Sequence, residues 1–512
     1  MIQHKNILKI ALFIGAFFLM PLLSNAQKSV LELLPGADKL GYDERTGAHR
    51  LTGSVNFIYQ GNTMYCDSAH YFDKTNEVRA YGNVHITKED INLFCDSLYY
   101  NGKTRKAKLW GHVRARDSEY KLTTDTLEYD AKKAQGIYRH GGKIESIVSN
   151  EVLTSRVGYF YPESKSFFFS GKVKYKNDDL SMTTDTLQYT YAKQTTHFYG
   201  PTKIIRGTTT MFCERGWYNV VTEEGSLIRN AEIYQESKTI KGDTLLYQPK
   251  KGQSIGKGHV YFKDTTQSIE FYGDYAINSD TNNYSFLTGH ALAKRIQNKD
   301  TIYIHADTLF NQNDSLGKAL FVRGSKNVKI FHNDIQAQCD SLHFEEPKGI
   351  MEMYYSPIIW AKNSELKGKK MTVYIVDSLI DHIFIEENAT AIMEIDTGNY
   401  YNQIAGKEMT AYMKDNELVR SDVSGTAKTI FFPQDEEKTD SSFTIKRLGM
   451  NRLYASDLRV YLDSGEVTGV TYFDKPDGVF YPMNKINKEE QFISNFEWNP
   501  FLRPKTWMEI VH

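Results

Sequence analysis

The sequence predicts an all-β protein built from stacked two-strand repeats, and three observations carry that prediction. The first is a recurring phrase: Asp67-Ser68-Ala69-His70-Tyr71, Asp96-Ser97-Leu98-Tyr99-Tyr100, Asp125-Thr126-Leu127-Glu128-Tyr129, Asp185-Thr186-Leu187-Gln188-Tyr189 and Asp243-Thr244-Leu245-Leu246-Tyr247. The copies start 29, 29, 60 and 58 residues apart. A period of about 30 residues marks units that bury their apolar faces only against their neighbours. The second observation is a glycine-centred run after each copy: Tyr81-Gly82-Asn83-Val84, Trp110-Gly111-His112-Val113, Ser170-Gly171-Lys172-Val173 and Lys257-Gly258-His259-Val260. The third is composition: 34 Tyr and 28 Phe against 12 Pro favour strands.

Taken in order, residues 1–26 read as a signal peptide. Lys5 and Lys9 precede an apolar run from Ile10 to Leu23, and Ser24-Asn25-Ala26 supplies small residues for cleavage. The mature chain is expected to begin near Gln27, exported, with no cysteine at the cleavage site to take a lipid. No later stretch approaches the roughly 20 apolar residues of a spanning helix.

Residues 27–430 are expected to form the repeats. In Leu122 to Tyr129 the alternation puts Asp125, Leu127 and Tyr129 on one face and Thr124, Thr126 and Glu128 on the other, the period of a half-buried strand. Polar turns such as Asp73-Lys74-Thr75-Asn76 and Asn101-Gly102-Lys103-Thr104 separate the two strands of a repeat. Weaker copies begin at Arg156, Glu214, Asp274, Asp307, Asp340, Glu408 and Asp457, giving about 13 repeats in all. The spacing loosens after residue 290. Residues 431–488 read as an irregular, charged loop around Pro433 to Ser442 followed by a final repeat, and 489–512 as an aromatic tail with Trp498 and Trp507 that caps or docks.

Removing residues 1–26 takes Lys5 and Lys9 and no acid, leaving 60 basic against 63 acidic residues. Near-neutrality gives no reason to expect a nucleic-acid partner. Cys66, Cys95, Cys213 and Cys339 all stand just before the acidic residue of their repeat, where other copies place Thr124, Thr184, Gly242, Gly273 and Ala306. That slot takes small residues, so free, buried thiols are expected. Cys66 and Cys95, one period apart, are the pair that could bridge.

The Asp-x-Leu-x-Tyr strand followed by a Gly-x-Val strand, behind an export signal, resembles the OstA/LptA family of periplasmic lipopolysaccharide-transport proteins. The pattern covers about residues 45–430 and is clearest from Tyr65 to Val260. The resemblance implies an elongated, open β-jellyroll, in one or more tandem domains, whose facing sheets enclose an apolar groove for lipid A acyl chains. This chain is about twice as long as the small soluble member of that family and lacks the carboxy-terminal barrel of the largest.

If each repeat places one strand in each sheet, the groove would be lined by Val84, Leu98, Tyr100, Val113, Leu127, Tyr129, Val173, Leu187, Tyr189, Leu245, Tyr247, Val260, Leu309, Leu342 and Phe344. Burial of an acyl chain is worth about 0.8 kcal/mol per CH₂, so carriage between membranes requires a continuous apolar track and no catalytic group. The open end strands would join other jellyroll proteins, or a second copy end to end, by strand addition.

No catalytic, metal or cofactor site is expected. A catalytic carboxylate pair is needed once, whereas this Asp recurs, which assigns it a structural role at a strand start. Gly102-Lys103-Thr104 lacks the first glycine of a phosphate-binding loop, and no two of the 14 histidines are closer in sequence than His332 and His343. The runs Lys103, Arg105, Lys106, Lys108 and Lys367, Lys369, Lys370 read as solvated faces that could meet lipid phosphates. Two other readings stay open: an exported β-solenoid scaffold or adhesin, which would carry outward-facing aromatic rows, and a β-helix carbohydrate-active enzyme, which would need an acidic cluster that breaks the repeat.

Overall fold

The computed structural model describes residues 32–511 apart from 60–61, 89–90, 131, 134, 162–165, 191–192, 220, 298–299, 378, 397, 416, 440–441 and 464–465. The expected signal peptide, residues 1–26, lies outside the described residues. The chain divides into two units, Met1–Lys251 and Gly252–His512. Both consist of antiparallel strands, and the described residues contain no helix beyond single 3₁₀ turns.

In the first unit a typical strand has eleven residues, as in Ile91–Asn101, Lys106–Arg116 and Tyr120–Asp130, and pairs with the strand before it and the strand after it. Each strand bends in the middle. On Ile91–Asn101 the buried positions are Ile91, Leu93 and Cys95, then Leu98. The inward phase therefore slips by one residue across Asp96. On the next strand Trp110 pairs with Thr126 and Val113 with Thr124, so Gly111 and His112 stand opposite Asp125 alone. This is a β-bulge, which bends a strand.

The same register shift recurs at Thr52/Val55, Tyr81/Val84, Ser170/Val173, Tyr199/Thr202 and Ile228/Ala231. The row of bulges folds the meander into two half-sheets. Leu93, Cys95 and Leu98 from both sides of one bend join Leu109, Val113 and Ala115 in one apolar core. The fold is an all-β, jellyroll-like meander, as the repeats predict, with one correction. The full-length strands lie in both half-sheets, so the two strands of a repeat are not divided between them, while the short strands Gln135–Tyr138 and Gly142–Ser146 pair with opposite halves of Tyr120–Asp130.

The second unit repeats the plan. Its strands Gln253–Asp264 through Ile335–Glu345 pair in sequence with bulges at Lys257/Val260, Tyr272/Tyr275, Thr288/Ala291 and Ser325/Val328. Longer strands, Leu379–Asp396, Tyr400–Lys414, Glu417–Phe431 and Gly449–Asp463, follow. The segment expected to be an irregular loop forms a hairpin, Gln434–Thr439 with Ser442–Arg447. Its charged residues, Gln434 to Thr439 above all, carry no apolar alternation from which a strand could be read. The chain from Met483 onward crosses the outside of this unit.

Candidate apolar groove and the corner clasps

The motif aspartate sits at the bend, mid-strand and exposed, and not at a strand start. Asp96 Oδ2 accepts from His112 Nδ1 at 2.8 Å, Asp67 Oδ2 from Asn83 Nδ2 at 2.9 Å, and Asp274 Oδ2 from His290 Nδ1 at 2.9 Å. Glu214 and Asp307 hold Asn230 and Asn327 in the same way, at 2.7 and 3.0 Å. Gly111 has φ +78° and His112 φ +48°. Two successive left-handed residues favour glycine at the first, and a Cβ there would collide with Asp96 Oδ2. Sequence reading found both halves of this clasp, the Asp and the Gly-x-Val, without seeing that Asp67, Asp96 and Asp274 grip the side chain that follows the glycine of the next strand.

The inner positions divide into three sets. Val84, Leu98, Val113, Leu127, Val173, Leu187, Tyr189 and Leu245 belong to the first unit's core, with exposures from 0 to 7%. Tyr100 and Tyr129 are half-buried against it. Leu309 and Leu342 belong to the second unit's core with Phe344 packed on it, and Val260 is buried outside both clusters. Tyr247 is the exception at 54% exposure, which corrects its inward placement. Its cross-strand partner is Gly225, which offers no side chain to hold it in.

In the first unit these side chains fill the space between the half-sheets instead of bordering an open trough. Tyr138 is fully buried there, its hydroxyl 2.6 Å from Ser155 Oγ and its ring flanked by Gly142 and Gly158. Phe160 packs beside it and meets Phe167 and Phe169 edge-on. The four cysteines are buried and free, and burial pushes the thiols of Cys66, Cys95 and Cys339 up to about 12 and that of Cys213 to about 11. Their slot is the buried position just before the bend, as with Cys95 opposite Val84 at the register shift.

The second unit does hold an opening. Ala391, Met393 and Ile404 face Leu418, Val460, Leu462, Val467 and Val470 across an apolar cleft whose cavity is about 30 Å³. That is far below the roughly 300–1,000 Å³ of ligand pockets, so the cleft is a narrow seam that must widen to admit a chain. Thr429 Oγ1 and Tyr472 Oη, 2.9 Å apart, join the two sides. None of these residues was singled out from the sequence. The alternation of Leu458, Val460 and Leu462 was the available signal, in a region where the repeat spacing had loosened.

Outward aromatic rows also exist. Tyr374, His382 and Tyr412 stack in cross-strand register with ring centroids 4.2 and 5.8 Å apart, and Arg420 caps Tyr412. The ring faces are spent on one another. The one grouping of metal-ligating side chains among the described residues, Asp300, His332 and Asp334, sets its two carboxylates on different ring nitrogens, at 2.8 and 4.0 Å.

Residues 33–185 match the model of the OstA-like protein family. No curated protein matches the chain. Among solved structures the chain is similar to LptH, the LptA-homologous periplasmic component of the lipopolysaccharide transport device of Pseudomonas aeruginosa, at 17% identity over 26% of this chain and 78% of that one, with a TM-score of 0.14. A protein assigned as a dipeptidyl aminopeptidase IV from Bacteroides ovatus follows at 10% identity over 79% of this chain and 56% of that one, with a TM-score of 0.09. Scores this low carry no argument. The resemblance read from the repeats thus has a family match behind it over residues 33–185, under a third of the chain.

Proposed function

We propose that this protein binds lipopolysaccharide in the periplasm through its acyl chains and passes it toward the outer membrane. The apolar cleft of the second unit carries the reading. Most of its lining side chains are apolar, and Ala391, Met393, Val460 and Leu462 among them belong to the second unit's core. Acyl chains would enter there and part the half-sheets, with Leu309 and Leu342 as surfaces they displace; within the first unit, taken by itself, Leu98, Leu127, Leu187 and Leu245 would be displaced in the same way. An interior closed by side-chain packing alone can yield in this way, because dispersion contacts are individually about 0.1–0.2 kcal/mol and are replaced by contacts with the lipid. Export by removal of residues 1–26 and strand addition at an open edge to other jellyroll proteins belong to the same proposal.

Photo-crosslinking residues placed at Leu418, Val467 or Val470 should capture lipopolysaccharide in living cells, and probes at Thr126 or Glu128 should not. Depletion should leave lipopolysaccharide at the inner membrane. Crosslinks to protein alone from every cleft position, with normal surface lipopolysaccharide on depletion, would reject the carrier and favour a scaffold.

A further inference from the structure

Three polar side chains on the outer face of the second unit are buried in a way an outer face does not ordinarily require. Gln336, Glu365 and Gln403 have exposures of 3, 0 and 1%. Their strand neighbours Ala337, Leu366 and Ile404 point the other way, into the core. What covers them is the carboxy-terminal segment, and each of the three reads a part of it. Gln403 Nε2 donates to Gln491 O at 2.8 Å while its Oε1 accepts from Ile493 N at 3.0 Å.

Glu365 Oε2 accepts from Asn499 N at 3.1 Å and from Trp360 Nε1 at 2.8 Å. Lys367 pairs with Glu365 at 2.7 Å and reaches Glu497 O at 2.5 Å. Gln336 Oε1 accepts from Arg503 Nε at 2.7 Å, and a second nitrogen of Arg503 donates to Lys362 O. Apolar anchors hold both ends. Ile493 packs with Ala405, Ile430, Phe432 and Met450, while Ile510 packs with Leu292 and Phe331 beside Trp507 stacked on Tyr303 at 5.0 Å.

A side-chain carboxamide that satisfies a backbone C=O and N–H of one extended segment is a peptide-reading device, and a buried carboxylate that takes a backbone N–H is another. Without the segment these groups would be left dry and unsatisfied, or would have to be rehydrated. Two residues of the groove also form the wall of the apolar cleft, since Gln403 and Ile430 line it.

We propose that this outer face is a peptide-binding groove, that residues 489–512 are its resident ligand, and that vacating the groove loosens the cleft wall so that an apolar chain enters more readily. The last step rests on the acyl-chain reading of the cleft. The groove itself does not.

The test uses the full chain with a protease site placed in the exposed turn around Asn487 and Lys488, cut only after folding, together with the uncut double variant Ile493→Ser/Arg503→Ala. Uptake of an apolar fluorescent dye is read in the absence of any lipopolysaccharide. Cutting followed by gel filtration is expected to release the tail and raise dye uptake several-fold. A synthetic peptide of residues 489–512 should reverse the gain, and Val470→Arg in the cleft should abolish it. The double variant should show the same rise while keeping its strand content by circular dichroism, whereas Lys505→Ala should leave uptake unchanged.

Release of the tail with no change in dye uptake would overturn the coupling. A peptide that fails to rebind would overturn the groove. Increased dye uptake together with no lipopolysaccharide crosslink at Leu418, Val467 or Val470 would reject the acyl-chain reading and leave the groove standing.

Discussion

Asp125 and Leu127 are two residues apart on one strand and still face opposite ways, because the bend lies between them. Alternation alone assigns both to one face. It locates Leu127 correctly, since the rule holds within either half of the strand, and misplaces Asp125 and Thr124, since the phase slips where the chain turns from one half-sheet to the other. Thr124 is buried and donates to Gly141 O at 2.7 Å. Leu127→Asp should therefore cost about 3–5 kcal/mol, from lost packing and an unpaired buried charge. Thr126→Asp, at a half-exposed site, should cost less than about 1 kcal/mol. Thermal melts of the two variants decide it, and equal losses would mean that the inner face is wrongly assigned. The small-residue slot was legible for the same local reason that Leu127 was, whereas the exposure of Tyr247 was not, because it depends on Gly225 across the strand pair.

At the scale of the element, the bent strand depends on one glycine and one carboxylate. Gly111→Ala puts a side chain into a left-handed position and against Asp96, so it should destabilise the fold by about 1–3 kcal/mol in urea unfolding. Replacing Asp96 as well by Ala removes the collision. The double variant should then lose less than the sum of the two single variants, by an amount typical of residues in contact, about 0.5–3 kcal/mol. Strict additivity would show that the clasp does not join the two strands. Both residue types stood out in the sequence as recurrences. Their partnership did not, because the strands they lie on meet only after the turn between them has formed. The hairpin at Gln434–Thr439 and the docked tail were less legible still: one has no apolar residue in its first strand, and the other is held by side chains more than a hundred residues away, such as Gln336 and Glu365.

For the whole molecule, most strand pairings within each unit run between strands adjacent in sequence, the docked tail apart, so stability is close to a sum of local terms and neighbour terms. Urea unfolding followed by tryptophan fluorescence should show two transitions, because Trp110 and Trp217 report the first unit while Trp360, Trp498 and Trp507 report the second. Coincident transitions would show a single cooperative block. The same clasps bear on how such a chain is inherited. The carboxylate of Asp96 reaches His112, 16 residues ahead. A stretch of one period thus brings its own bend, its own grip on the next strand and its own share of core. Tandem duplication of such a stretch would insert a rung whose neighbours find the same partners they had before. Length in this architecture is a quantity that selection can adjust in whole steps, without redesigning the residues on either side of the insertion.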